Sequence, residues 1–183
     1  MRAYIYEESS EDQRAEHDSK VTITSDGLKD LGVLHWHTEE LDEVDKLAAE
    51  RGYRNRDQII VSKEAMGDIY LTKINSFFEE HLHEDEEIRW IIDGTGYFDV
   101  RDKSDQNWIR IQVSKGDLLV LPPGIYHRFT VDTKDYIKAM RLFKDEPKWV
   151  PYNRNTETEK NPYRQAYVDT FVGGNVLPVP TIV

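Results

Sequence analysis

Residues 87–93 and 97–101 alternate apolar and polar side chains, and further short runs cut by turn residues follow to residue 143. That is the period of a strand with one buried face, and it leaves no room for a long helix. Residues 87–93 and 97–101 are predicted strands on either side of a Gly94-Thr95-Gly96 turn. After a turn-rich break at 102–107, residues 108–113, 118–121, 126–131 and 136–143 complete a series of six strands. Short strands joined by Gly, Asp, Asn and Pro turns predict a mainly β chain, an antiparallel sandwich or barrel with helices at its periphery. No strand–helix alternation supports a Rossmann-type sheet.

The part before residue 80 reads differently. Residues 3–6 are an expected opening strand, and the charged stretch 7–20 an expected surface loop. Ser25 is a candidate cap for a short helix bearing Leu28 and Leu31, stopped by Gly32; residues 33–37 look extended. Residues 39–51 predict a helix with Thr38 as its cap, an apolar stripe of Leu41, Val44, Leu47 and Ala48, and Gly52 as its stop. Asn55 and Gln58 suggest a capping pair for a second short helix through Ile60. Tyr70, Ile74, Phe77 and Phe78 predict a third at about 66–79. The expectation is one domain over 1–172, with a helical lead-in at about 25–79 and a barrel at about 80–145. Trp149, Tyr152, Tyr163 and Tyr167 suggest an ordered segment packed on that barrel, and 173–183 a flexible tail.

Where lead-in meets barrel stands His81-Leu82-His83, followed by Glu87. In an extended segment interrupted by a tight bend, His81, His83, Glu87 and Arg89 share parity and face one way. The opposite face carries Leu82, Ile88, Trp90 and Ile92. A second run, Gly116 to Pro122-Pro123-Gly124 and then His127, returns one more imidazole, with Phe129 on its face. Three neutral nitrogen donors and one carboxylate suit a divalent first-row metal such as Fe(II), Ni(II) or Mn(II). His-x-His alone is a weak signal. His35-Trp36-His37 repeats the spacing with Leu41 where the carboxylate should stand, and is read as structural. Glu84, Asp85 and Glu86 are read as solvated charges.

Composition narrows the classes. Asp plus Glu number 35 against 24 Lys plus Arg, a net charge of −11, which argues against nucleic acid and anionic membranes as partners. With no cysteine there is no disulfide, thiolate metal site or thiol nucleophile. No run approaches the length of a membrane span. The expectation is a cytoplasmic monomer that takes a small molecule.

The joined pattern is far more specific than its parts: His-x-His, three residues, Glu87, six residues, Gly94; then Gly116, five residues, Pro122, one residue, Gly124, two residues, His127. It resembles the two motifs of the cupin superfamily, a small β-barrel (double-stranded β-helix, or jelly roll) around a metal; Val131 stands where those proteins often have Asn. Residues 79–102, 121–132, 138–143 and 152–154, with Gly32-Val33-Leu34 and Trp36, closely resemble the acireductone dioxygenases, over roughly 2–170. The resemblance implies an oxidoreductase of methionine salvage with one Fe(II) or Ni(II) per chain. The implied substrates are dioxygen and 1,2-dihydroxy-5-(methylthio)pent-1-en-3-one. The eukaryotic members imply the nucleus as a further compartment. His81, His83, Glu87 and His127 are the expected ligands, Arg89 an expected catalytic and substrate-binding cation, and Phe129 with Phe77 or Phe78 expected pocket walls. The ligand set by itself leaves open another metal cupin, such as a different dioxygenase or a sugar isomerase. It also leaves open a non-enzymatic pocket protein and histidines in packing roles.

Overall fold

The computed structural model describes residues 1–146 and 150–173. Its strands are β1 (Arg2–Tyr6), β2 (Asp18–Thr22), β3 (Leu34–His37), β4 (Asn55–Ser62), β5 (His81–Leu82), β6 (Glu87–Arg101), β7 (Trp108–Ser114), β8 (Asp117–Leu121), β9 (His127–Val131), β10 (Tyr136–Phe143) and β11 (Tyr152–Asn153). Its α-helices are α1 (Ser25–Lys29), α2 (Leu41–Arg51), α3 (Lys63–Met66), α4 (Tyr70–Phe78) and α5 (Pro162–Tyr167). One set of strands runs β11-β5-β9-β6-β7-β1-β2; the other runs β3-β8-β6-β10-β4. All the described pairings are antiparallel. The expectations for Trp149 and for a tail beyond Gly173 fall outside the described residues.

Strand β6 belongs to both sets, and here the expected turn at Gly94-Thr95-Gly96 is corrected. Residues 87–101 are one continuous strand that pairs with β8 and β10 first and with β7 and β9 afterwards. Lys138 pairs with Asp93 but Ala139 with Ile91, so Ile92 is an extra residue, a bulge that bends the strand and resets which side chains face inward. Ile91 faces the core before the bulge, and Phe98 and Val100 face it afterwards. The glycines let neighbouring backbone come close. Gly94 has φ of +79°, and a Cβ there would sit 2.4 Å from the Tyr136 carbonyl oxygen.

The lead-in is not purely helical. Strands β3 and β4 interleave with its helices and extend the β8–β6–β10 set at both ends. Residues 55–60, expected as a helix, lie in β4, because Ile59 and Val61 alternate with Gln58 and Ile60 and β10 offers a complete ladder. Instead, the Ser62 hydroxyl caps α3, accepting from the Ala65 N–H at 3.0 Å. Helix α1 is capped by Thr24 rather than Ser25. In α2, Val44 and Ala48 are buried while Leu41 is exposed, so the apolar stripe is narrower than expected. The third expected helix begins late: a 3-10 turn at Gly67–Ile69 separates α3 from α4. Residues 18–20, placed in the expected surface loop, belong to β2.

Two apolar clusters hold the molecule together. The larger fills the space between the two sets of strands, with Ile91, Phe98, Ile111, Leu119, Val131 and Ile137 among its members, and α1 and α4 close it with Leu28 and Ile74. The smaller lies on the outer face of β6, β8 and β10, where Ile88, Trp90, Leu118 and Met140 meet Val44 and Ala48 of α2. On the outer face of β6, β7 and β9 the buried Asp99 accepts from Arg110 Nε and Nη2, at 2.7 and 2.9 Å, and from Arg128 Nε at 2.9 Å. Arg110 also donates to the Gln13 and Ala15 carbonyls, which ties the 7–17 segment down over this charge pair. His17 of that segment is buried and stacks on Tyr6.

Two glycines with left-handed φ separate strain from crowding. Gly52 (φ +74°) has open space around its missing Cβ, unlike Gly94. Gly52→Ala should cost about 1–2 kcal/mol, the left-handed strain alone. Gly94→Ala should cost about 2 kcal/mol more, since strand backbone must shift as well. Chemical denaturation of the two variants checks the difference.

Candidate metal centre

Helix α4 ends at Phe78, and after two intervening residues the chain enters the barrel as β5. There His81 stands opposite His127 of β9 in direct register. The His83 carbonyl accepts from the Gly124 N–H at 3.0 Å, so the Pro-Pro-Gly turn is docked on the first motif. Gly124 has φ of +80°, and a Cβ there would lie 2.2 Å from the Tyr163 carbonyl oxygen, so only glycine fits beneath the α5 segment.

His81, His83 and His127 each bring one ring nitrogen to within 4.8 Å of the other two. Their ring centroids are 4.5, 5.1 and 5.3 Å apart. In every ring Nδ1 faces a backbone carbonyl: Glu79 O at 2.7 Å for His81, Val150 O at 3.1 Å for His83 and Ile125 O at 3.0 Å for His127. A carbonyl only accepts, so each Nδ1 carries the proton and each Nε2 is left with its lone pair. His127 Nε2 is buried and has no hydrogen-bond partner among the described residues. Glu87 completes the group. Its Oε2 lies 3.2 Å from His83 Nε2 and 3.5 Å from His127 Nε2, and its Oε1 lies 3.2 Å from Arg89 Nη2. One carboxylate oxygen therefore faces the imidazoles and the other is held by the guanidinium. Aligned lone pairs around an orphaned buried nitrogen, with one anionic oxygen, fit a divalent metal.

The electrostatics keep His81 neutral and Glu87 ionised, while Glu87 shifts His83 toward its charged form. Burial, aided by the nearby His127, pushes His81 down to about 3, so it stays neutral. Burial alone would raise Glu87, but Arg89 and the contacts with His127 and His83 outweigh it and hold the carboxyl well below its ordinary range. Burial also pulls at His83, yet Glu87 more than compensates and raises it. Arg89 is lowered by burial, against the pull of Glu87.

The structure thus brings together His81, His83, Glu87, His127 and Arg89, as their parity suggested. Phe129 lies on the inward face of β9, with Phe77 6.2 Å and Phe98 4.8 Å away between ring centroids. Phe78 is different: it packs under the Arg128 guanidinium, 4.0 Å away, and not against Phe129's face of the strand. His35 and His37 stand apart, bound to the fully buried Asp117 at 2.8 and 3.1 Å. The reading of Glu84 and Glu86 as solvated needs correction, whereas Asp85 is exposed as expected. Glu84 accepts from Asn161, and Glu86 is bound by Arg51 and Tyr53. Sequence reasoning also missed Val150, whose carbonyl orients His83. A backbone acceptor 67 positions away leaves no mark in side-chain identity.

An antiparallel barrel with inward-facing imidazoles on a β5–β9 pair defines a cupin. The ARD/ARD' family model matches residues 2–151. Acireductone dioxygenase of Puccinia graminis f. sp. tritici is 63% identical over 92% of this chain and 94% of its own length. That of Tuber melanosporum is 55% identical over 93% and 98%. Among solved structures, acireductone dioxygenase from Bacillus anthracis, with a cadmium ion in its active center, shares the fold. Its TM-score is 0.66 at 23% identity, over 82% of this chain and 96% of that one. The chain belongs to the ARD/ARD' family, and the resemblance read from its two motifs is borne out.

Asp117 provides a test that leaves the metal centre alone. Burial would raise its carboxyl, but hydrogen bonds from His35, the Ser114 N–H and His37 pull it well below the ordinary range. A carboxyl depressed by folding stabilises fully above its unfolded value of about 4 and loses that contribution as pH falls through the folded one. Asp117→Asn should therefore cost about 1–3 kcal/mol at pH 7. The gap to wild type should narrow as denaturation curves are taken below pH about 4.

Proposed function

We propose that this chain is a metal-dependent dioxygenase of methionine salvage that cleaves 1,2-dihydroxy-5-(methylthio)pent-1-en-3-one with dioxygen. With Fe(II) the products are formate and 4-methylthio-2-oxobutanoate; with Ni(II) they are 3-methylthiopropanoate, formate and carbon monoxide. The observation that carries the reading is the cluster of three imidazoles, each with Nδ1 on a backbone carbonyl, with the Glu87 carboxylate beside the Nε2 atoms of His83 and His127. It is supported by relatives of 55–63% identity that bear the name acireductone dioxygenase along nearly the whole chain. The activity is assigned to one domain over 1–172, acting as a cytoplasmic monomer, with the nucleus as a second compartment. No helix among the described residues is long and apolar enough to cross a membrane.

His81, His83, His127 and Glu87 would hold the ion. When bound, it supplies a Lewis acid and a template for the two oxygens of the deprotonated enediol. Everything else falls to the side chains. Three neutral imidazoles and one carboxylate leave one net positive charge at the site, which favours an anionic substrate. Arg89 stays protonated at neutral pH and lies beside Glu87, so it neutralises charge that builds on the substrate oxygens. The apolar rings of Phe129 and Phe77 wall the space for the methylthio chain and keep water from the reacting carbons.

Reconstitution of metal-free protein with Fe(II) or Ni(II) under anaerobic conditions, then addition of the acireductone and dioxygen, should give the two product sets. No consumption with either metal would sink the proposal. Glu87→Ala and His127→Ala should lose metal and turnover together. Arg89→Ala should keep its metal and lose about 10²- to 10³-fold in kcat. A fully active Arg89→Ala would remove its assigned role.

A further inference from the structure

Glu87 faces the imidazoles; its neighbour Glu86 points the other way and is gripped. Arg51 Nη2 donates to Glu86 Oε1 at 3.0 Å, and the Tyr53 hydroxyl donates to Oε2 at 2.9 Å. Lys144 Nζ stands 3.3 Å from the same oxygen. Arg51 Nε donates in turn to the Tyr53 hydroxyl. The Arg51 guanidinium lies 5.6 Å from the ring centroids of both Trp36 and Tyr53. Tyr53 is 6% exposed and packs in the outer cluster with Ile88 and Trp90, so it is a fixed donor rather than a surface one. Gly52, left-handed at the end of α2, turns the chain so that residues on both sides of it reach one carboxylate.

The need for such a grip follows from the strand pattern. Strand β5 ends at Leu82 and β6 starts at Glu87, so the four residues from His83 to Glu86 have no place in a ladder. The His83 carbonyl is held by Gly124 and the Glu84 side chain by Asn161. Glu86 is the last anchored residue before Glu87. Glu87 opens the β6 ladder opposite Leu121, so the grip on Glu86 fixes how the chain enters that ladder at the residue that carries the carboxylate.

We propose that Glu86, clamped by Tyr53 and Arg51, is a positioning residue that sets where the Glu87 carboxylate stands, and with it the affinity and coordination geometry of the metal. This rests on the metal-centre reading above. It also gives a task to Trp36, which backs Arg51 from a strand remote from the ligands in sequence.

Co(II), a visible probe of such sites, tests the clamp. Tyr53→Phe keeps the packed ring and removes one hydroxyl; Glu86→Gln keeps the shape and removes the charge. Each should raise the Co(II) dissociation constant about tenfold and shift the visible absorption bands of the Co(II) form, with the Tm of metal-free protein within a few degrees of wild type. The double variant should lose less affinity than the two single losses combined, since both changes act on one side chain. If Glu86→Gln does not fold, Tyr53→Phe alone decides. Variants with wild-type Co(II) affinity and spectrum would overturn the clamp, even if less stable, because a purely structural staple predicts that result. Wild-type protein that takes up no Co(II) would overturn the metal centre itself, and the clamp with it.

Discussion

Strand β6 is the constraint on which the rest of this structure depends. It is hydrogen-bonded into both sets of strands, so the two halves of the barrel cannot be displaced without breaking it. Its first residue is Glu87 and its third is Arg89, which places the site's anion and cation at the start of a strand that pairs with four others. The bulge at Ile92 and the close backbone approach at Gly94 and Gly96 let one strand turn from one set to the other. Ligand geometry is thereby coupled to the closure of the whole barrel, a rigid mounting for a catalytic group.

The imidazoles are mounted differently. Each is oriented by a backbone carbonyl, and those carbonyls come from three places: the end of the α4 connection, the turn before β9, and Val150 near the C-terminal segment. Backbone acceptors have no charge to screen and no side-chain entropy to lose, so they fix which ring nitrogen carries the proton. Charged side chains operate outside the barrel, where Glu80 is held by Arg101 and Arg154 and Glu86 by Arg51 and Tyr53. At both places a residue anchored outside the barrel directly precedes one that faces the imidazole cluster, so anchorage and chemistry fall to chain neighbours.

Much of this was legible in residues 81–143. Parity placed His81, His83, Glu87 and Arg89 on one face, and the Pro-Pro-Gly turn placed His127 near them. The errors came where two signals compete. Asn55 and Gln58 resemble a capping pair, yet β10 offers eight partners to β4, and a ladder outweighs a local cap. Gly94 and Gly96 resemble a hairpin turn, yet they serve close backbone approach, and local sequence does not distinguish the two uses of glycine. Glu84 and Glu86 resemble solvent-facing charges because their partners, Asn161, Arg51 and Tyr53, are tens of residues away.

By itself the sequence determined the period of the strands, the identity and order of the ligands and the resemblance that names the family, because these depend on residue type and short-range spacing. Only the tertiary structure decided which nitrogen of each histidine is free, which oxygen of Glu87 meets Arg89, and that Glu86 is bound. Those are questions of which distant atoms come within about 3 Å, and chain closure, not local pattern, brings them there.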